Sequence, residues 1–231
     1  MATSKRSTKK SDNTLVDIVE VRDQAQDFID RNQNLVFGVL VAVILVVGGL
    51  FAYNHFYKQP RQQEAMQQMF QAQLQFQRDS FALALTNPGG GYLGFLDIAE
   101  TYGGTKAGNL AHYYAGISYL QLGQFDAALD YLQDYKPAGQ ITPAMKYGAL
   151  GDVYSEKGDF GQAMSHYQRA VNAEDNAVLT PYYLKKLGLL HEKQGDFDKA
   201  REAYTRIKEE YPESLVGRDI DKYIARAQRN S

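Results

Sequence analysis

Apolar and polar residues alternate along this chain in three regimes. From Leu35 to Tyr53 the sequence LVFGVLVAVILVVGGLFAY runs nineteen residues without a charge, Asn, Gln, Ser or Thr. A helix of that length rises roughly 28 Å, against a bilayer core of about 30 Å. The core helix of a soluble protein is seldom apolar on every face. A cleaved signal peptide has an apolar run of about 7–15 residues near its start, ending at small residues. Here 34 residues come first and the run ends YNHFYKQPR. The expectation is an uncleaved transmembrane helix over 35–53.

The first regime, residues 1–34, is polar. Residues 1–10 are basic, and Ser11-Asp12-Asn13 offer N-cap oxygens for a short amphipathic helix running toward Asn32. Leu15, Ile18, Val19, Ala25, Phe28 and Ile29 form its apolar side; Asp17, Glu20, Asp23, Asp27 and Asp30 cover the rest. Such an acidic face is repelled by an anionic leaflet. It suits contact with a protein, or a solvated spacer.

The third regime has helical periodicity throughout. Residues 59–77 hold nine Gln, with Ala65, Met69, Ala72 and Phe76 at helical spacing. Pro60 is expected to start this helix and not to continue the one before it. The segment reads either as a coiled-coil stalk or as the first helix of a distal domain. Phe81, Leu83 and Leu85 beyond it favour the domain. NPGGG (87–91) is a loop, and 62–102 as a whole reads as a degenerate helical pair.

From Tyr92 a longer period appears. Gly116–Tyr119–Gly123–Phe125–Ala128 recurs as Gly151–Tyr154–Gly158–Phe160–Ala163 and as Gly188–His191–Gly195–Phe197–Ala200. Near-constant periods of this size mark a repeat architecture. Small residues where paired helices approach, with an aromatic between them, resemble the tetratricopeptide pattern. YGALGDVYSEKGDFGQAMSHYQRA (147–170) carries it most fully; His112, Tyr135 and His191 depart from it. Each unit is then two antiparallel helices turning at Gly123, Gly158 or Gly195, and the units stack because one alone cannot bury its apolar face. A second echo aligns YGGTKAG (102–108) with YPESLVG (211–217), where Thr105 and Ser214 are placed as N-caps. The fold class is all-α: one membrane helix, then an α-solenoid over 54–231. Its repeats cover about 109–142, 144–177 and 181–214, and a capping helix covers 215–229, with Arg218, Asp219, Lys222 and Arg226 toward water.

Composition excludes more than it suggests. Twenty-five basic against 27 acidic residues leave a net charge of −2, and no basic face for nucleic acid. The near-neutrality hides a basic tip, Lys5, Arg6, Lys9 and Lys10, cancelled by the acidic excess of residues 11–34. With no Cys there are no disulfides, thiolate metal sites or thiol nucleophiles. His55, His112, His166 and His191 lack metal-ligand spacing, and HEKQG (191–195) lacks a second His. GGGYLG (89–94) matches a dinucleotide-loop pattern without the βαβ unit that gives it meaning. No catalytic residue, metal or cofactor is expected.

Binding is what remains. In a tetratricopeptide array the first helix of each pair lines a concave groove. The candidates there are Tyr113, Tyr114, Ile117 and Leu120; then Gly148, Ala149, Asp152 and Glu156; then Tyr182, Lys185, Lys186 and Leu189. Tyr and Leu suit an apolar segment, and Lys185 and Lys186 a carboxylate. Packing against the adjacent helix is the competing role for each, and for Tyr114 above all, since Tyr223 recurs at its equivalent place. Co-chaperones that clamp acidic C-termini have Lys and Asn where this chain has Tyr113 and Ile117.

Orientation follows basic residues. Lys5, Arg6, Lys9, Lys10, Arg22 and Arg31 precede the apolar run, and Lys58 and Arg61 come after it. The N-terminus is expected in the cytoplasm, with Tyr53, Phe56, Tyr57 and His55 in the far interface. A basic leader, one span and a tetratricopeptide domain beyond it, together with FLDIAETYGGTKAGNLAHYYAGISYLQLGQFDAAL (95–129), resemble the YfgM-type ancillary subunits of the SecYEG translocon. The resemblance covers almost the whole chain. It implies a bacterial inner-membrane protein whose periplasmic domain works beside SecYEG with a PpiD-like membrane-anchored chaperone on nascent secretory proteins. The alternative is a scaffold subunit of another envelope complex, serving outer-membrane assembly, motility or secretion.

Overall fold

A computed structural model describes Arg22, Gln26 and residues 28–230. The basic tip and most of the expected leader helix lie outside the described residues. The chain divides between Gln59 and Pro60 into two units.

In the first unit the apolar run forms helix α1 (Gln33–Tyr53), none of whose residues is buried. Among the described residues, this run is the core of the one helical stretch long and apolar enough to cross a membrane. A π-helical turn, Asn54–Lys58, comes directly after α1. The chain stays helical across Pro60, where the sequence predicts that the helix ends. Proline lacks the N–H and its ring presses on the carbonyl four residues back.

The second unit is all helical. It opens with α2 (Gln59–Gln77), α3 (Phe81–Thr86) and α4 (Phe95–Thr101). The segment 62–102 is thus one long helix and two short ones, not a simple pair. Gly89, Gly90 and Gly91 all take positive φ and break the second half. Helix α2 buries Ala65, Met69 and Ala72 in a core shared with Phe95, Ile98, Tyr102 and Ala111. Three of its glutamines tie it to the chain between Pro88 and Ala107. Gln62 Oε1 accepts from the Ala107 N–H (3.1 Å), Gln68 Oε1 accepts from the Leu93 N–H (3.2 Å), and Gln75 Nε2 donates to the Pro88 carbonyl (3.0 Å).

Three helix pairs complete the repeats: α5 (Lys106–Gln121) with α6 (Phe125–Asp134), α7 (Ile141–Glu156) with α8 (Phe160–Ala173), and α9 (Leu179–Lys193) with α10 (Phe197–Glu210). Each turn closes in the same way. At the second, Gly158 has φ 80°, its N–H reaches the Ser155 carbonyl, and the Asp159 N–H reaches Tyr154. That is the left-handed helix ending that favours glycine. Asp159 and Asp196 then cap α8 and α10 by accepting from the N–H three residues on.

Within each pair, the signature glycine admits a large residue from the second helix. A Cβ at Gly116 would meet Leu132 Cγ at 2.5 Å, one at Gly151 would meet Tyr167 Cδ1 at 2.5 Å, and one at Gly188 would meet Tyr204 Cε1 at 2.4 Å. Between repeats, the first helices pack on one another. Ile117 and Leu120 of α5 pack on a cluster made of Ala128 and Leu132 from α6 and Ala149, Leu150 and Val153 from α7, and Gly148 admits the ring of Tyr183 from α9.

The short echo is structural too. Thr105 Oγ1 donates to the Tyr102 carbonyl and accepts from the Gly108 N–H; Ser214 Oγ does the same with Tyr211 and Gly217. After Ser214 the chain differs from a single capping helix over 215–229. A 3₁₀ turn, Gly217–Asp219, precedes α11 (Asp221–Asn230), which is seated by buried Ile220 and Ala227. Arg218, Asp219 and Lys222 are exposed, whereas Arg226 is half-buried and paired with Glu192 of α9.

Candidate protein-binding groove

The first helices of the repeats border a groove of about 740 Å³. Leu120 enters from α5, Asp152 and Glu156 from α7, and Tyr182, Lys186 and Leu189 from α9. Helical spacing explains the last three: Tyr182, Lys186 and Leu189 lie four and three residues apart, on one face of α9.

At its floor Asp152 holds two donors. Lys186 Nζ lies 2.5 Å from Asp152 Oδ1, and the Tyr167 hydroxyl donates to the same oxygen at 2.6 Å. Burial works against the Lys186 charge, but the Asp152 carboxylate outweighs it and the ammonium pKa ends raised. Burial, then Asp152, pushes the Tyr167 phenol up, so it stays a neutral donor. The lysine expected to hold a partner's carboxylate thus already holds one from its own chain. What the groove offers outward is mixed: Leu189 is 38% and Tyr182 42% exposed, and Gln121, Glu156 and Lys193 are exposed along the same lining.

Six other candidates go elsewhere. Tyr114 stacks on Phe95 (5.0 Å between centroids, 9°) and meets Phe76 edge-on (5.0 Å), filling the core between α2, α4 and α5. Ile117 is half-buried against the cluster shared by α6 and α7. Lys185 sets its ammonium 4.5 Å over the Tyr223 ring of α11, so it serves the end of the solenoid. Tyr113 is half-buried, its ring 5.3 Å from that of Tyr135. Burial raises its pKa, with smaller contributions from Tyr135 and Asp152. Gly148 and Ala149 are buried in the contacts between first helices.

Tyr167, Phe125 and Lys193 also line the groove, and sequence reasoning misses them. Tyr167 has a usable signal: it occupies the large-residue slot facing a signature glycine, and such a ring carries its hydroxyl past the helix pair. Lys193 lies 4.2 Å over the Phe160 ring, a tertiary contact without a sequence mark. Among the described residues no three His, Asp or Glu converge as a metal site. His112 Nδ1 lies 3.0 Å from the Gly108 carbonyl and His166 stacks on Tyr154.

Stacked antiparallel pairs with glycine turns and a groove along their first helices define a tetratricopeptide-like α-solenoid, a class built around extended binding surfaces. Residues 110–136 and 144–209 match the tetratricopeptide repeat family. Photosystem I assembly protein Ycf3 of Prochlorococcus marinus is 29% identical over 75 residues, which span 32% of this chain and 43% of that protein. The chain therefore aligns with less than half the length of this relative. The crystal structure of MamA protein superposes with a TM-score of 0.52 at 17% identity, covering 72% of this chain and 91% of that one. At such identity the likeness is one of fold.

Proposed function

We propose that this chain is a membrane-anchored, non-enzymatic adaptor that binds partner polypeptides in the groove bordered by α5, α7 and α9. The observation that carries this is the groove itself. The charge pair at its floor is internally neutralised, while Tyr182 and Leu189 stay exposed beside it. A partner segment with an apolar or aromatic anchor for Tyr182 and Leu189 and polar groups for exposed Glu156 and Lys193 fits such a lining. The apolar run of α1 supports a single span, and the basic residues before it support a cytoplasmic N-terminus and a periplasmic second unit. Tethering raises effective concentration at a membrane complex, so even a weak groove captures its partners.

The resemblance to YfgM-type subunits extends this to an ancillary role at the SecYEG translocon of the bacterial inner membrane, with a PpiD-like chaperone and nascent secretory proteins as partners. Photocrosslinking from position 189, which is exposed where Tyr113 is half-buried, tests it. Adducts with translocon, chaperone or secretory chains are expected; their absence from a folded, membrane-inserted protein overturns the translocon assignment. Reporters fused to each end test the topology.

A second reading, a scaffold subunit of another envelope assembly, is favoured by one observation: the relative Ycf3 is named as an assembly protein. Stoichiometric co-purification with such an assembly, surviving depletion of translocon components, distinguishes it.

A further inference from the structure

A second concavity lies at the junctions between repeats and shares one lining residue, Tyr182, with the groove. It measures about 770 Å³ and sits between the connection into α9 and the connection from α10 to α11. Val178, Leu179, Tyr211, Leu215 and Val216 make it apolar. Val178 is 69% and Leu215 84% exposed.

The repeat register shows that the fold does not demand these apolar residues. Position 215 falls ten residues before the signature-glycine position of its unit, as do 178, 141 and 106 of theirs. The four residues are Lys106, Ile141, Val178 and Leu215. All are exposed, Ile141 at 51%. The first unit accepts a lysine there, held in the same Thr105-capped turn that Ser214 reproduces beside Leu215. Apolar residues at successive equivalent positions in the last three units therefore line one edge of the solenoid without packing inside it. An exposed apolar patch of this kind marks an interaction site.

The rim is acidic. Glu210 and Glu213 line the concavity, and Glu174 and Asp175 lead into it. Glu210 is paired with Arg206 (2.9 Å) and Asp175 accepts from the Tyr211 hydroxyl (2.5 Å). Among the described residues Glu213 has no ion pair. This charge selects between occupants. An anionic lipid surface is repelled by it. A second copy meeting the patch about a twofold axis sets Glu213 and Glu210 against themselves.

We infer that this edge pocket, which meets the groove only at Tyr182, is a second protein-binding site for a short segment with a bulky aliphatic or aromatic residue next to Lys or Arg. The apolar side chain enters between Val178 and Leu215, and the cation meets Glu213.

The test pans a phage-displayed random peptide library on the full chain in lipid nanodiscs, then measures the enriched peptide by fluorescence anisotropy. Enrichment of Leu, Ile, Phe or Met beside Lys or Arg is expected. Leu215→Lys, the residue type the equivalent position 106 already carries, weakens that peptide about tenfold or more, as loss of one buried anchor does. Glu213→Lys weakens it by a comparable factor, and Leu189→Asp in the groove leaves it unchanged. Circular dichroism melts matching the parent verify that each variant is folded, and Val178→Lys is the substitute if Leu215→Lys is not.

Several results overturn the inference. They are enrichment of acidic or purely apolar peptides, no enrichment at all, or an affinity within twofold in Leu215→Lys. A peptide lost in Leu189→Asp but kept in Leu215→Lys places binding in the groove instead. A self-association lost in Leu215→Lys by sedimentation assigns the patch to a second copy. Failure of the crosslinks from position 189 alone leaves this site standing.

Discussion

The Lys186 ammonium, 2.5 Å from the Asp152 carboxylate, joins the first helix of the third repeat to the first helix of the second. The two side chains are 26% and 28% exposed, so the pair is neither a free surface contact nor a fully dry one. Lys186→Met leaves Asp152 with the Tyr167 hydroxyl as its remaining donor and should destabilise the second unit by about 1–2 kcal/mol, between the surface and buried limits. Asp152→Asn/Lys186→Met together should recover part of that loss. Urea denaturation of the four members of the cycle measures the coupling; additive losses would show that the pair contributes nothing of its own.

Tight helix approach at the signature glycines gives a contrast between two alanine substitutions. Gly188→Ala drives a Cβ to 2.4 Å from the Tyr204 ring, which is fully buried and cannot yield. A loss of about 1–3 kcal/mol is expected from such overpacking. Gly161→Ala in α8 meets only Asp159 Oδ1 at 3.7 Å, and should raise stability by roughly 0.5–1 kcal/mol through helix propensity. Thermal melts that shift in opposite directions are the expected outcome.

The Gln-rich helix divides into working and idle glutamines. Gln68→Ala removes the acceptor of the Leu93 N–H and should destabilise by about 1 kcal/mol. Gln63, exposed on the same helix, should tolerate alanine within about 0.5 kcal/mol. Faster hydrogen exchange at Leu93 in Gln68→Ala alone would locate the effect. Equal stabilities for the two variants would refute it.

Acid should loosen the repeats through His166. Burial, then Arg169, lowers its pKa, and its ring stacks on Tyr154 at 5.2 Å with Nδ1 buried and unpartnered. The folded chain thus binds this proton less readily than the unfolded chain. Stability therefore falls as pH drops through the ordinary imidazole value near about 6.5, until the depressed folded value is passed. His166→Phe keeps a ring on Tyr154 and should flatten that slope in melts taken across mild acid. His191, lowered chiefly by burial, leaves a residual slope of the same sign. An unchanged slope in His166→Phe counts against the assignment.

Much of the second unit is legible in the residues because its punctuation is local. Gly158 turns the chain because its φ of 80° suits a residue without a Cβ. Thr105 and Ser214 hold matching turns because each hydroxyl needs only the carbonyl three residues before it and the N–H three after. Repeat phase, helix pairing and the faces that meet all derive from such signals. The break at 87–91 is legible as a loop, yet the two short helices beside it are not, since helices of six and seven residues lack a period to read.

The groove is less legible. Periodicity places Leu120, Asp152, Tyr182, Lys186 and Leu189 on first helices, but only the stacking of repeats brings α5, α7 and α9 around one cavity. The same stacking sends Tyr114 onto Phe95, turns Lys185 to Tyr223, and spends Lys186 on Asp152, thirty-four residues away. The sequence by itself determined the repeat, its turns and the apolar run of α1, because backbone conformation and hydrophobic spacing are settled by near neighbours. Tertiary structure decided which side chains stay free, because a long side chain's partner depends on the distance and angle between helices that no period encodes.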